Sequence, residues 1–331
     1  MRQGSDYYAS GILRGERVVL AQAITLIEST LPSDQHLAGE IMEKVIHATG
    51  KSVRIGISGP PGVGKSTFIE TFGQHITAEG KKLAVLTIDP SSPRTKGSIL
   101  GDKTRMSELA TNPMAFIRPS ASADALGGVA HKTRETILLC EAAGYEVILI
   151  ETVGVGQSEV TVKNMTDVFL LLMLAGSGDE LQGIKKGIME MADLVVITKA
   201  DGENVKRANE ARAEFQHAIH LLYNHNQWTP KVLTASAVAN QGVAETWAEI
   251  NTFVKFQIEH NFFNENRRQQ NISHLHERFQ HLLKAEIEQS PELQKVRQEL
   301  EERVSDQNLS PTQGGQLLFE AFKASVAGSR S

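Results

Sequence analysis

A glycine-rich segment, Gly59–Thr67, constrains the fold of this chain more than any other feature. It reads GPPGVGKST, follows the apolar run Val53–Ser58, and precedes a stretch whose apolar residues recur at helical spacing. A strand, a glycine-rich turn and a helix in this order are typical of a phosphate-binding loop, where backbone N–H groups and the helix N-terminus attract phosphate oxygens. The pattern predicts a nucleotide-binding α/β domain.

The residue types inside this segment suit particular parts of a nucleotide. Lys65 is expected to reach the β- and γ-phosphates and to stabilise the charge that develops during phosphoryl transfer. The Ser66 hydroxyl is expected to ligate Mg²⁺. The other residues of the segment that we predict to bind the nucleotide are Gly62, Val63, Gly64 and Thr67.

Between Lys51 and about Val243, short apolar runs alternate with helical patterns. Such alternation is typical of βαβ units, which build a parallel sheet covered by helices on both faces. The runs predicted as strands are residues 53–58, 83–88, 114–117, 146–151, 168–174, 194–198 and 231–235. The sequence therefore predicts an α/β, three-layer fold of the P-loop NTPase class with a mainly parallel sheet.

Helical patterns without strand signals flank this region. We predict a helical N-terminal extension over residues 1–50, the nucleotide-binding domain over 51–256, and a helical C-terminal arm over 257–331, which Ser290-Pro291 divides into two helices. Apolar residues of the arm recur at three- and four-residue spacing, which suits a narrow helix–helix seam and predicts a homodimer. They include Ile272, Leu275, Phe279 and Leu282.

Composition narrows the functional classes. The net charge of −5 leaves no basic footprint of the kind that nucleic-acid binding requires. Cys140 is the sole cysteine, so the chain can form no internal disulfide. The sequence has no apolar run long enough for a membrane span or a signal peptide, and a cytoplasmic location is expected. The histidines show no Cys/His metal-ligand pattern.

Two carboxylates end predicted strands. Asp89 follows residues 83–88, and Glu151 follows the apolar residues 147–150. Since the carboxyl ends of parallel strands meet at the ligand-binding edge, each carboxylate can hold Mg²⁺ directly or through water. Gly154 lets its N–H approach a γ-phosphate that a side chain would hinder. The sequence predicts a Mg²⁺ site that includes Ser66 and these two carboxylates.

The tetrapeptide Thr198-Lys199-Ala200-Asp201 follows another predicted strand and matches the Asn/Thr-Lys-x-Asp pattern that reads guanine in GTPases. Asp201 can accept hydrogen bonds from N1–H and the 2-amino group of guanine, which adenine does not offer in that arrangement. The Lys199 stem can lie over the purine ring. After the next strand, Ser236 and Ala237 are expected to place a backbone N–H near guanine O6. These residues predict GTP as the nucleotide.

Six motifs in order make the chain similar to the MeaB/ArgK family, the GTPases that accompany adenosylcobalamin-dependent acyl-CoA mutases such as methylmalonyl-CoA mutase. The resemblance implies a dimeric P-loop GTPase that binds such a mutase, gates the loading of its cofactor, and protects or reactivates it. A low basal rate is expected because the sequence offers no certain arginine finger in cis. The motifs are residues 59–67, 89–93, 97–106, 126–130, 151–159 and 178–187.

The resemblance also implies residue roles. Asp89, Asp102 and Glu151 would form an acidic cluster around the metal and the attacking water, with Asp102 as the candidate that orients the water. Gly178–Gly187 resembles a switch that responds to nucleotide and contacts the mutase. Thr198 stands where Asn is more usual, which raises the question of whether the base site is still braced against the P-loop.

Three other functions stay open on the residues alone. A metal-insertion GTPase would share the nucleotide site, and a P-loop kinase would pass the phosphoryl group to an acceptor other than water. A scaffold would hold the nucleotide for structural reasons only. Tight metal stoichiometry, transfer to an acceptor, and the absence of single-turnover hydrolysis would identify these alternatives in turn.

Overall fold

The computed structural model describes residues 2–89, 106–121, 126–152, 158–176, 186–222 and 228–328. The strands are β1 Val53–Ser58, β2 Leu83–Asp89, β3 Ala115–Ala121, β4 Val147–Thr152, β5 Val168–Met173, β6 Leu194–Ile197 and β7 Lys231–Thr234. They form one parallel sheet in the order β3-β2-β4-β1-β5-β6-β7. The predicted fold class is confirmed, and each predicted strand is present.

The structure describes thirteen α-helices. In chain order they are α1 Ser5–Leu13, α2 Arg17–Glu28, α3 Pro32–Val45, α4 Lys65–Ala78, α5 Ser107–Thr111, α6 Leu126–Ala142, α7 Ser158–Lys163, α8 Lys186–Met191, α9 Val205–Leu222, α10 Val243–Glu259, α11 Phe262–Gln289, α12 Pro291–Ser305 and α13 Pro311–Gly328. Short 3-10 helices lie at Ile46–Ala48 and Gly202–Asn204. Across the described residues, every helix is too short or too polar to span a bilayer.

Strand β5 shows why the strands appear in the sequence as continuous apolar runs. Phe169 and Leu171 lie in a hydrophobic core on one face of the sheet, whereas Val168, Leu170 and Leu172 lie in a second core on the other face. All five side chains are buried, as expected where helices cover both faces of a parallel sheet. Helix α4 packs in the second core, so the segment after β1 is held against the sheet.

The N-terminal helices belong to the first of these cores. Leu20 and Ile24 of α2 and Ile41 of α3 are fully or almost fully buried and share a cluster with Ile137 of α6. Their three- and four-residue spacing places these apolar residues on the inner face of each helix. The predicted helical character of the N-terminal extension is confirmed by α1, α2 and α3.

The chain divides into two compact units, Met1–Gln270 and Asn271–Ser331. The domain boundaries after residues 50 and 256 remain predictions. The break at Ser290-Pro291 is present, and the Ser290 hydroxyl accepts the Leu293 N–H at 3.3 Å as an N-cap. The expectation of two helices around this break was incomplete, because α13 begins after a further turn at Pro311, where proline suits a first helical turn.

A buried network of charges lies at the amino ends of the strands. The Arg54 guanidinium of β1 donates to both carboxylate oxygens of Glu141, each at 2.9 Å. Arg267 of α11 donates to both oxygens of Asp167 at 2.8 and 2.7 Å and to the carbonyl oxygen of Ser52 at 2.6 Å. Burial alone would raise the pKa of Glu141, but hydrogen bonds from its partners, Arg54 foremost, hold that pKa below its ordinary value.

We expect Arg267→Leu to lower the free energy of unfolding by about 3–5 kcal/mol, because it leaves the buried Asp167 carboxylate without this partner. The matched control is Arg268→Leu, since the Arg268 side chain is 73% exposed against 11% for Arg267. The control should change stability by less than about 0.5 kcal/mol. Urea unfolding followed by tryptophan fluorescence measures both. Equal effects of the two substitutions would contradict the stabilising role of this network.

Candidate functional site

The glycine-rich loop leaves β1 at the carboxyl edge of the sheet, where β1 lies between β4 and β5. A Cβ on Gly59 would lie 2.4 Å from the carbonyl oxygen of Leu172 in β5, so only glycine permits this approach. Gly64 has a φ of 91° and forms the N-cap of α4, where its carbonyl oxygen accepts the Phe68 N–H at 2.9 Å. The loop therefore presents the first turn of a helix at this edge, as a phosphate site requires.

Lys65 is the first residue of α4, and its ammonium lies within the loop. Its Nζ donates to the carbonyl oxygen of Gly59 at 2.7 Å and lies 3.3 Å from that of Pro60. Burial lowers the pKa of Lys65, while the carboxylates of Glu151 and Glu159 act in the opposite direction. An anion beside Lys65 would further favour the charged amine.

Ser66 and Glu151 are brought together across 85 residues of sequence. The Ser66 hydroxyl donates to Glu151 Oε1 at 3.2 Å, and Glu151 is buried. Ile88 of β2 pairs with Thr152 of β4, so Asp89 ends a strand beside the one that carries Glu151. A hydroxyl and a carboxylate are hard oxygen ligands, and they fit Mg²⁺.

Several predicted site residues are placed only in part. The strand position of Asp89 is described, but Asp102 and Gly154 lie outside the described residues, as does most of Gly178–Gly187. Among the described side chains, no group of three or more His, Cys, Asp and Glu residues is close enough to hold a metal ion.

Thr198 joins the base-reading motif to the glycine-rich loop. Its hydroxyl lies 2.7 Å from the carbonyl oxygen of Val63 and 3.2 Å from that of Met173, whereas its N–H donates to Met173 at 2.8 Å. The shorter hydroxyl contact is the one with Val63. A threonine thus supplies the brace that the sequence left in question. Lys199 follows with a φ of 55°, and its Cε lies 3.9 Å from where a Cβ on Gly64 would stand.

Asp201 lies against the loop after β7, which we call the base loop and define as residues 236–241. The Ser236 hydroxyl donates to the Asp201 carboxylate and accepts the Ala239 N–H at 3.0 Å. Ser236 and Gln241 exchange two backbone hydrogen bonds at 2.9 and 3.0 Å. The predicted base-site residues Asp201, Ser236 and Ala237 therefore meet at the same edge as the phosphate loop.

Sequence reasoning missed two residues here. Glu159 lies in one of the six motifs, but the sequence indicates no role for it; it is fully buried, and its charge acts on Lys65. Thr71 of α4 donates to the carbonyl oxygen of Ala237 at 3.1 Å. Helical spacing places Thr71 one turn after Thr67, but no local signal connects it with a loop 166 residues away.

Comparison with known proteins agrees with this geometry. The family described as methylmalonyl-CoA mutase-associated GTPase MeaB matches residues 20–292. The chain belongs to this family. GTPase ArgK of Escherichia coli is 52% identical over 241 residues, covering 72% of this chain and 73% of ArgK.

Two further relatives cover almost the whole chain. A mouse protein named methylmalonic aciduria type A homolog, mitochondrial, is 43% identical over 330 residues, which covers 96% of this chain and 80% of that protein. A crystal structure of a LAO/AO transport system kinase has a TM-score of 0.76 and 36% identity, with 96% of this chain and 97% of that one covered. Membership of the MeaB/ArgK family makes this chain a guanine-nucleotide-binding P-loop protein.

Proposed function

We propose that this protein is a GTP-hydrolysing switch that binds an adenosylcobalamin-dependent acyl-CoA mutase of the methylmalonyl-CoA mutase type. In this role it gates cofactor loading and protects or reactivates the mutase. The observation that best supports a nucleotide switch is the hydrogen bond from Thr198, in the base-reading motif, to Val63 in the phosphate loop. The mutase partner is supported by the family description and by the name of the mouse relative.

Guanine would be selected by Asp201. Its carboxylate can accept two hydrogen bonds from guanine, and the Ser236 hydroxyl fixes its orientation. Adenine would leave the carboxylate without those donors, which costs on the order of 1–3 kcal/mol. Lys199, beside Gly64, would cover one face of the base, while Ala237 in the base loop would offer a backbone N–H to O6.

Asp201→Asn should weaken GDP binding about tenfold or more and strengthen binding of xanthosine diphosphate, because the amide can donate to the 2-carbonyl of xanthine. Competition binding with GDP, xanthosine diphosphate and ADP measures this change in base preference. Asp306→Asn, an exposed aspartate in the C-terminal unit, is the matched control and should leave all three affinities unchanged. An Asp201→Asn protein that keeps its GDP affinity would exclude the base-reading role.

The chemistry is an in-line attack of water on the γ-phosphate. Lys65 would bind the β/γ-phosphate oxygens and stabilise the charge that develops on them. Ser66, Asp89 and Glu151 would hold a magnesium ion, which when bound supplies further charge neutralisation. Glu151, hydrogen-bonded to Ser66, thereby belongs to both the metal site and the catalytic set. Asp102 would orient the attacking water.

Asp102→Ala should slow single-turnover hydrolysis of GTP about a hundredfold, since a positioned acid or base contributes this much to proton transfer. GTP affinity should stay within about twofold, because the phosphate contacts and the base contacts are unchanged. Rapid mixing with stoichiometric GTP measures both quantities. Hydrolysis at the wild-type rate would remove Asp102 from the mechanism, and transfer to an added acceptor would indicate a kinase.

The C-terminal unit supports a homodimer. Ile272, Leu275, Phe279 and Leu282 of α11 form a stripe at three- and four-residue spacing, and all four are exposed. Such a stripe matches the seam of paired helices. A second copy of the chain is the partner we propose for it.

The mutase partnership is tested by mixing the full chain with a purified methylmalonyl-CoA-type mutase in the presence of GDP, a non-hydrolysable GTP analogue, or no nucleotide. We expect a complex whose affinity depends on the nucleotide, since a switch must bind its partner differently in its two states. Light scattering gives the masses of the free chain and the complex. Asp201→Asn is the control, because its complex should respond to xanthosine rather than guanosine nucleotides. If no complex forms under any of these nucleotide conditions, the proposed partner is contradicted.

A further inference from the structure

Thr71 connects two parts of the nucleotide site that are distant in sequence. It lies on α4, one turn beyond Thr67, and its hydroxyl donates to the carbonyl oxygen of Ala237 in the base loop at 3.1 Å. The alternative acceptor on its own helix, the Thr67 carbonyl oxygen, is farther away at 3.4 Å. Because a hydroxyl has one proton to donate, the shorter contact with the base loop is the favoured hydrogen bond.

We propose that Thr71 is a positioning residue for guanine recognition, acting through Ala237. It fastens the base loop to the helix that begins at the phosphate loop, and so fixes the distance between the groups that bind phosphate and those that meet the 6-oxygen of the base. This inference rests on the proposed function, since it assumes that the base loop reads guanine.

The base loop needs a tie of this kind. Ser236 is the first residue of the loop, and its hydroxyl fastens it to Asp201. Two residues later, Val238 is 87% exposed. Ala237 lies between the anchored residue and this exposed tip. The contacts of Ser236 with Ala239 and Gln241 lie within the loop, and so does the Asn240 N–H that the Ala237 carbonyl oxygen accepts at 3.3 Å. The Thr71 hydrogen bond instead joins Ala237 to α4.

The same helix also holds the segment that follows the base loop. Phe72, next to Thr71, packs edge-on against Trp247 of α10 with ring centroids 6.0 Å apart. About two turns later, Glu79 accepts the Trp247 indole N–H at 2.8 Å. Thr71 is thus the first of three contacts by which α4 and the residue after it fix the base loop and α10 as one body.

A base-positioning role differs measurably from a general structural role. Thr71 donates to a protein carbonyl group, so its loss should move the loop but leave the phosphate groups and Asp201 in place. The effect should therefore appear with every base that carries a 6-oxygen and vanish with a base that lacks one. Guanine and hypoxanthine carry this oxygen, whereas 2-aminopurine keeps the 2-amino group without it.

The test compares Thr71→Val, which keeps the shape and removes the donor, with Thr71→Ser, which keeps the donor. Thr252→Val is the matched control, because among the described residues the Thr252 hydroxyl bonds within its own helix, to Ala248 at 2.9 Å. Competition binding uses GDP, inosine diphosphate and 2-aminopurine riboside diphosphate on the full chain. Thr71→Val should weaken GDP and inosine diphosphate by the same factor, about three- to tenfold. The 2-aminopurine nucleotide should change by less than about twofold, and the other two variants should match wild type for all three.

Two results would overturn the inference while the guanine site stands. They are an unchanged GDP affinity in Thr71→Val, and an equal loss for all three nucleotides, which would make Thr71 a general support of the fold. A different result would overturn the proposed function as well: a wild-type protein that binds GDP no better than ADP has no guanine site for Thr71 to position.

Discussion

The close approach of Gly59 to the carbonyl oxygen of Leu172 is the constraint on which the rest of the site depends. The chain can turn from β1 into α4 at this point only because there is no Cβ between the loop and β5. The turn brings Val63 within 2.7 Å of the Thr198 hydroxyl, which comes from the end of β6. The absence of a side chain at Gly59 thus lets the phosphate loop lie beside the base-reading motif.

Charge balance determines what this loop can hold. Lys65 lies among backbone carbonyl oxygens and near two buried carboxylates, while burial itself opposes its charge. A phosphate group would offer Lys65 a stronger partner than a neutral carbonyl group, since an ammonium group is attracted more strongly to an anionic oxygen than to a neutral one. The Ser66 hydroxyl and the Glu151 carboxylate offer hard oxygen ligands near this lysine, which is the chemical reason for expecting Mg²⁺ with the nucleotide.

The sequence predicted the parts of this structure that leave a local or periodic signal. Apolar runs such as 168–173 identify strands because burial on both faces leaves no polar position, and GPPGVGKST identifies its loop because the turn needs glycine at fixed places. Thr198 was recognised as part of the base motif, but whether it reaches Val63 depends on the spacing of β1, β5 and β6. The contacts of Thr71 with Ala237 and of Arg267 with Asp167 join residues at least 100 positions apart, and neither pair has a local signature.

Helix α7 relates the two edges of the sheet. Glu159 in its first turn acts on Lys65 at the nucleotide edge, whereas Lys163 at its end donates to Asp193 at 2.5 Å, just before β6. The chain then reaches Asp167, whose carboxylate accepts two hydrogen bonds from Arg267. Breaking the buried Arg267–Asp167 pair would cost several kcal/mol, so this contact resists displacement of the segment that follows α7. Any response to nucleotide must therefore be absorbed before Lys163 or be strong enough to repack these ion pairs. Repacking of these ion pairs would transmit the response to Arg267, near the start of α11.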